Sequence, residues 1–146
     1  MIIIKDSREQ KPFDFSFYED VEGECIQALK TGDYTLFGYE DKITIDRKQS
    51  VDEIAHNVFE QRFERECQRM ENFEEAYILC EFSVGDLTEY VKNSKNPNRK
   101  LTANSIFYRI NQLEDIYKVK FIFSQNREEA QEKLIEIFRN VIKKKN

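Results

Sequence analysis

Two aspartates and a lysine raise the first chemical question in this sequence. Asp33, Asp46 and Lys48 fall within the stretch GDYTLFGYEDKITIDRK, residues 32–48. Two carboxylates side by side form a hard-oxygen site suited to Mg2+ or Mn2+. An ammonium group at the same place can stabilise an anionic transition state or orient a water nucleophile. Only a particular backbone brings the three together. DYTLF and KITIDRK flank GYED, which predicts a β-hairpin. A four-residue loop at Gly38–Asp41 pairs Phe37 with Lys42 and sets Asp33 opposite Asp46. In the second strand Ile43 and Ile45 share one face, and Thr44, Asp46 and Lys48 share the other. Like charges directly opposite each other destabilise a hairpin, so such a pair calls for compensation, and a bound cation provides it.

Other elements must hold this hairpin in place. MIIIK at the start is apolar and β-branched and predicts a buried strand, followed by the polar turn DSREQKPF. The segment from Asp14 to Leu29 reads as either helix or strand, with a strand favoured near Glu24–Ala28. Ser50 and Glu53 form a capping box. Val51, Ile54, Val58, Phe63, Cys67 and Met70 follow at helical spacing, which predicts one long amphipathic helix. AYILCEF is the near-continuous apolar run of a strand covered on both faces. Residues 83–100 lose periodicity and read as a loop ending in the basic run KNSKNPNRK. A helix is expected from about Thr102 to Tyr117, then a buried strand in VKFIFS. A last helix, capped by Asn126 and Glu129, buries Ala130, Leu134, Ile137, Phe138 and Val141. The order β, β-hairpin, α, β, α, β, α predicts an α/β fold with a central mixed β-sheet flanked by helices, in one domain over residues 1–146.

The 146 residues are enough for one ordinary domain with a sizeable core. An apolar content of 40% with 13% aromatics argues against disorder despite the many charges. The first apolar run ends in charge, unlike a signal peptide, and no run approaches membrane-spanning length. A cytoplasmic or nucleoid-associated protein, not secreted and not in a membrane, is therefore expected. Cys25, Cys67 and Cys80 show no CxxC pairing and there is one histidine, which argues against structural zinc and for a reduced interior. A net charge of −5 argues mildly against a nucleic-acid partner. The run from Lys92 to Lys100 is the local answer, because a basic strip binds phosphates even on an acidic domain.

An acid, then acid-x-lysine, on the two strands of a hairpin is similar to the pattern of the PD-(D/E)xK nucleases. Further residues sharpen the likeness. DSRE at 6–9, GDY at 32–34 and DRKQSVD at 46–52 resemble the XPF/Hef family of structure-specific DNA endonucleases. That family's signature is GD, a variable gap, then ERKxxxD, preceded by D-x-R-E after the first strand. RFERECQRM resembles its Arg-Phe helix, and ILCEF its apolar strand ending in glutamate. The resemblance runs from residue 2 to about 142. It implies a restriction-endonuclease-like nuclease fold and a DNA endonuclease dependent on Mg2+ or Mn2+, acting at branched, flap or fork structures. It implies pairing through the nuclease domain, as a homodimer or with a partner protein. It also implies Asp33 and Asp46 as metal ligands with Asp6 contributing or supporting, and Lys48 as the catalytic lysine. Arg8, Arg47 and Asp52 would orient phosphate and carboxylates, with Glu9 and Glu81 as weaker candidates. Candidate DNA contacts are Arg8, Arg47, Arg62, Lys95, Arg99 and Lys100. Water would attack the phosphodiester, with the 3′-oxygen leaving and a 5′-phosphate left behind. Two features depart from the pattern. The glutamate of ERK is Asp46 here, one methylene shorter, which keeps a good ligand and changes its reach. The family's tandem helix-hairpin-helix domain, which grips duplex DNA, has no counterpart in this sequence, which points to a compact nuclease working alone or with a partner.

Plainer roles exist for each residue. Asp6 could cap a turn and Arg8 stand on the surface, and Arg47 with Asp52 could be a surface ion pair worth little. His56 reads as solvated and Tyr34 as strand packing. Arg62, Arg65 and Arg69 recur at helical spacing with Glu60, Glu64 and Glu66 interleaved, as on a solvated charged face. A non-catalytic DNA-binding or scaffolding module of the same fold is the rival to the enzyme, and RNA is a rival substrate. Retention of Asp33, Asp46 and Lys48 favours the enzyme.

Overall fold

The structure, a computed structural model, describes residues 1–93 and 101–145. Strands Ile2–Asp6 (β1), Gly23–Gln27 (β2), Tyr34–Leu36 (β3), Ile43–Lys48 (β4), Glu75–Cys80 (β5) and Lys120–Ile122 (β6) form one sheet, ordered β2-β1-β3-β4-β5-β6. β3 pairs antiparallel with β1 and with β4, and the remaining ladders are parallel. The described helices are Val51–Asn57 (α1), Gln61–Met70 (α2), Val84–Asn93 (α3), Ala103–Tyr117 (α4) and Arg127–Lys145 (α5). α5 packs Leu134, Ile137 and Phe138 on one face of the sheet, against Ile3, Tyr34, Ile43, Ile45 and Leu79. α1, α2 and α4 cover the other face, with Ile54, Phe63, Met70 and Ile110 against Ala76, Ile78 and Cys80. This is the α/β fold with a flanked mixed sheet that the sequence predicts. No described helix is long and apolar enough to cross a membrane.

The hairpin has the expected register. Tyr34 pairs with Ile45, so Asp33 falls opposite Asp46. On the other side Lys5 pairs with Tyr34, which sets Asp6 opposite Asp33, and the Asp6 N–H donates to the Asp33 carbonyl at 2.8 Å. Asp6, Asp33 and Asp46 thus form one row across three strands at one end of the sheet. Alternation divides β4 between the two faces. Ile43, Ile45 and Arg47 face α5, and Thr44, Asp46 and Lys48 face α1 and α2. The Arg47 guanidinium accordingly lies over the Phe13 ring of the α5-side core, and the Lys48 ammonium over the Phe63 ring of α2.

Two expectations about elements are corrected. The long helix from Ser50 to Met70 is two helices, broken at Val58–Glu60. Glu60 is extended, its carboxylate accepts from the Asn57 amide at 2.8 Å, and the Val58 carbonyl accepts from Arg109 of α4 at 2.9 Å. Residues 84–93, read as loop, form α3. Its start is a reciprocal pair, with the Asp86 N–H donating to Ser83 Oγ and the Ser83 N–H to Asp86 Oδ2. Between Asp14 and Leu29 the favoured strand forms, over Gly23–Gln27, and residues 14–22 contain turns and no helix. The cap of the last helix stands as read, with the Glu129 N–H donating to Asn126 Oδ1 at 2.9 Å.

Candidate active site

The site is assembled around a glycine. Gly32 has φ +75°, and a Cβ there would lie 2.1 Å from Thr44 Oγ1 and 3.2 Å from the Ile45 carbonyl. Only glycine accepts both the conformation and the close approach to β4. This brings the Asp33 N–H to the Ile45 carbonyl at 2.8 Å and Asp33 Oδ2 to the Arg47 N–H, also at 2.8 Å. Burial and the neighbouring Asp46 carboxylate push the Asp33 carboxyl up to about 9. Asp46 is itself buried, and its Oδ2 has no hydrogen-bond partner. The Lys48 Nζ lies 3.2 Å from that oxygen, an ion pair without hydrogen-bond alignment. Burial opposes the charge on Lys48, but Asp46 and Glu66 outweigh it and hold the amine above its ordinary range. Lys48 is therefore an ammonium, 5.1 Å from the Phe63 ring centroid.

Glu66 of α2 is a member of this group that sequence reasoning assigned to a solvated face. Its carboxyl is pushed up to about 7, first by burial and then by the charge of Asp46. A signal was available. Glu66 falls between Phe63, Cys67 and Met70, on the buried stripe of α2. Asp33 and Glu66 thus both crowd Asp46. Among the described residues no three His, Cys, Asp or Glu side chains already stand at ligand spacing. The donor chemistry nevertheless fits a divalent cation: hard oxygens, mutually repelled, around a buried carboxylate oxygen that no hydrogen bond satisfies.

Asp6 closes the row from the other side, with its carboxylate turned away. It accepts from the Leu29 N–H at 2.9 Å and from Arg8 Nε at 3.1 Å. Burial works against its charge, but the Leu29 N–H and Arg8 hold its carboxyl below the usual range. The Arg8 side chain is 72% exposed, and donates also to the Leu29 carbonyl at 2.7 Å. Arg62 is 83% exposed on α2. Arg47 departs from its expected place. Its side chain is 0% exposed and lies behind the sheet, 3.1 Å from Glu9 and 3.5 Å from Glu81, so the alternation of β4 removes it from any DNA surface. Asp52 does not pair with Arg47. It is exposed, accepts from the Tyr90 hydroxyl and lies 3.5 Å from His56 Nδ1. Tyr34 packs in the core as expected and donates to Glu9 at 2.7 Å. Lys95, Arg99 and Lys100 lie outside the described residues.

Comparison with known proteins places this geometry. The ERCC4 domain family model matches residues 6–137. XPF from Aeropyrum pernix is similar in fold, with a TM-score of 0.73 at 19% identity. The same protein in its complex with DNA gives 0.71, also at 19% identity. Both alignments cover 97% of this chain and 65% of the archaeal one, so the chain spans just under two thirds of those structures. No curated protein matches the sequence. The match of the family model over most of the length, on a sheet that carries the GD and D-R-K segments in one row, makes this chain a member of the ERCC4 domain family.

Proposed function

We propose that the chain is a divalent-metal-dependent DNA endonuclease of the XPF type, using Mg2+ or Mn2+ and acting at branched, flap or fork structures. The observation that carries this is the convergence of Asp33, Asp46 and Lys48 around a buried oxygen with no hydrogen-bond partner. Asp33 and Asp46 would hold the cation, with Glu66 against Asp46 and Asp6 supporting from the next strand. A bound cation would supply charge neutralisation and an activated water. Lys48, kept charged by its acidic neighbours, would meet the negative charge that develops on the phosphate. The Arg47 N–H would keep Asp33 oriented. Arg8 and Arg62, both exposed, would contact the backbone of the DNA, with the basic run from Lys92 to Lys100. One similar structure is a complex with DNA, which supports the choice of substrate. Pairing as a homodimer or with a partner protein belongs to the same proposal. The apolar face of α5 is taken up by the core, while Tyr108 and Ile116 of α4 are among several exposed apolar residues that an interface would use.

Single-turnover cleavage of a forked duplex in Mn2+ tests the proposal. Lys48→Ala keeps both aspartates, so cation binding should persist while cleavage falls about 10²–10³-fold, the scale of removing one charge-stabilising group. Asp46→Glu should retain activity. A wild type as inert as Lys48→Ala on every substrate, with both binding DNA, would leave a non-catalytic binding module instead.

A further inference from the structure

Behind the catalytic row, residues 7–12 connect β1 to the buried Phe13 without regular structure, and two arginines hold them. Arg47 donates to the Gln10 carbonyl at 2.7 Å and to the Lys11 carbonyl at 3.0 Å. Arg127, in the first turn of α5, donates to the Lys11 carbonyl at 2.8 Å and to the Pro12 carbonyl at 3.0 Å. Three successive carbonyls are thus taken up by guanidinium groups. Both guanidinium carbons lie 4.8 Å from the Phe13 ring centroid. Glu81 stands between the arginines, its Oε1 3.5 Å from Arg47 and 3.3 Å from Arg127. Glu9 completes the group at 3.1 Å from Arg47 Nε. Two cations and two carboxylates balance, and Arg47, Glu9 and Glu81 are almost wholly covered. Removing one arginine would leave buried carboxylates short of a partner.

Arg47 is also the residue between Asp46 and Lys48, and its N–H is the group that holds Asp33 Oδ2. We infer that Arg127 is a positioning residue of the catalytic row: with Glu81 it fixes Arg47 and the backbone of residues 10–12, and through the Arg47 N–H it fixes Asp33. The inference rests on the nuclease function proposed above. Arg127 is not a catalytic residue, since its partners are Glu81, Phe13 and the Lys11 and Pro12 carbonyls. It is 39% exposed, yet its donors point inward at fixed acceptors.

The test compares wild type, Arg127→Gln, Arg127→Lys and Arg139→Gln. Arg139 is also on α5, and its ion pair with Asp20 lies away from this network, so its variant controls for general loss of stability. Cleavage of a forked duplex in Mn2+ is measured at saturating enzyme and as a function of concentration, at a temperature where all four are folded. Residue-resolved amide exchange of the cation-free proteins is measured beside it. Arg127→Gln should lower the saturating rate roughly hundredfold, the scale of an ångström misplacement, with half-saturation unchanged. It should also speed exchange at the Arg47 amide. Arg127→Lys should recover part of both, and Arg139→Gln should change neither. A raised half-saturation with an unchanged rate would make Arg127 a phosphate ligand and overturn the inference. So would a lowered melting temperature with the rate and the Arg47 exchange unaltered. If wild type itself cleaves nothing, the proposed function fails, and exchange at Arg47 alone decides: faster in Arg127→Gln sustains the positioning role, unchanged ends it.

Discussion

With no cation bound, Asp33 keeps a proton that an exposed aspartate would release. Asp33 is raised by burial and by Asp46, so the folded chain binds more protons than the unfolded one between the ordinary carboxylate range and about 9. The stability tied to this group is present below that range and is lost as pH rises through it. The melting temperature of the cation-free protein should therefore fall from pH 5 to pH 9, and Asp33→Asn should flatten that slope. Mg2+ or Mn2+ competes with the proton, so the melting-temperature gain on adding it should be larger at pH 8 than at pH 6. A gain independent of pH, or equal in Asp33→Asn, would count against a cation at these carboxylates. At this scale alternation carried most of the information. Two-residue spacing put Asp46 and Lys48 together in the sequence. The same spacing placed Arg47 with Ile43 and Ile45, which foretells its burial behind the sheet. Glu66 stayed hidden because Arg65 and Arg69 beside it suggest solvent, and only its phase on the stripe of Phe63, Cys67 and Met70 shows its depth.

The hairpin is the element on which the site depends, and Gly32 is where it can be broken. Gly32→Ala should cost about 1–3 kcal/mol for the left-handed backbone alone, read as a lower urea midpoint. The displaced Thr44 hydroxyl adds to that loss. Thr44→Ala in the same background should return the steric share and leave the backbone share. A Gly32→Ala protein with wild-type stability would mean that the close approach to β4 does not exist in solution. The hairpin was legible because its strands alternate and its loop is polar. The helix break was not, since HNVFEQ contains neither proline nor glycine. Its trace is a phase slip, because Val58 and Phe63 are five apart where a continuous stripe needs three or four. What sustains the break, Arg109 on the Val58 carbonyl, comes from 51 residues away and has no local signature. α3 was missed for a related reason. It buries Leu87 fully and little else, so its apolar stripe is thin, although Ser83 and Asp86 mark its start.

On the scale of the whole molecule, a net charge of −5 must coexist with the polyanionic substrate of the proposed function. Binding should then depend on a few placed cations and weaken steeply with salt. Replacing Lys95, Arg99 and Lys100 by Ala should lower affinity and flatten the salt dependence, by about 0.9 in the log–log slope for each phosphate no longer neutralised. Identical slopes for the triple variant and wild type would place the DNA elsewhere. The network behind the site has a further consequence, for the order in which the molecule is made. Asp33 and Asp46 meet across a short hairpin, and a short loop closes at little entropic cost. Arg127 reaches Lys11 across 116 positions of chain. A ribosome therefore releases both acids well before the residue that steadies them, and the growing chain holds its carboxylates as neighbours before it holds them still.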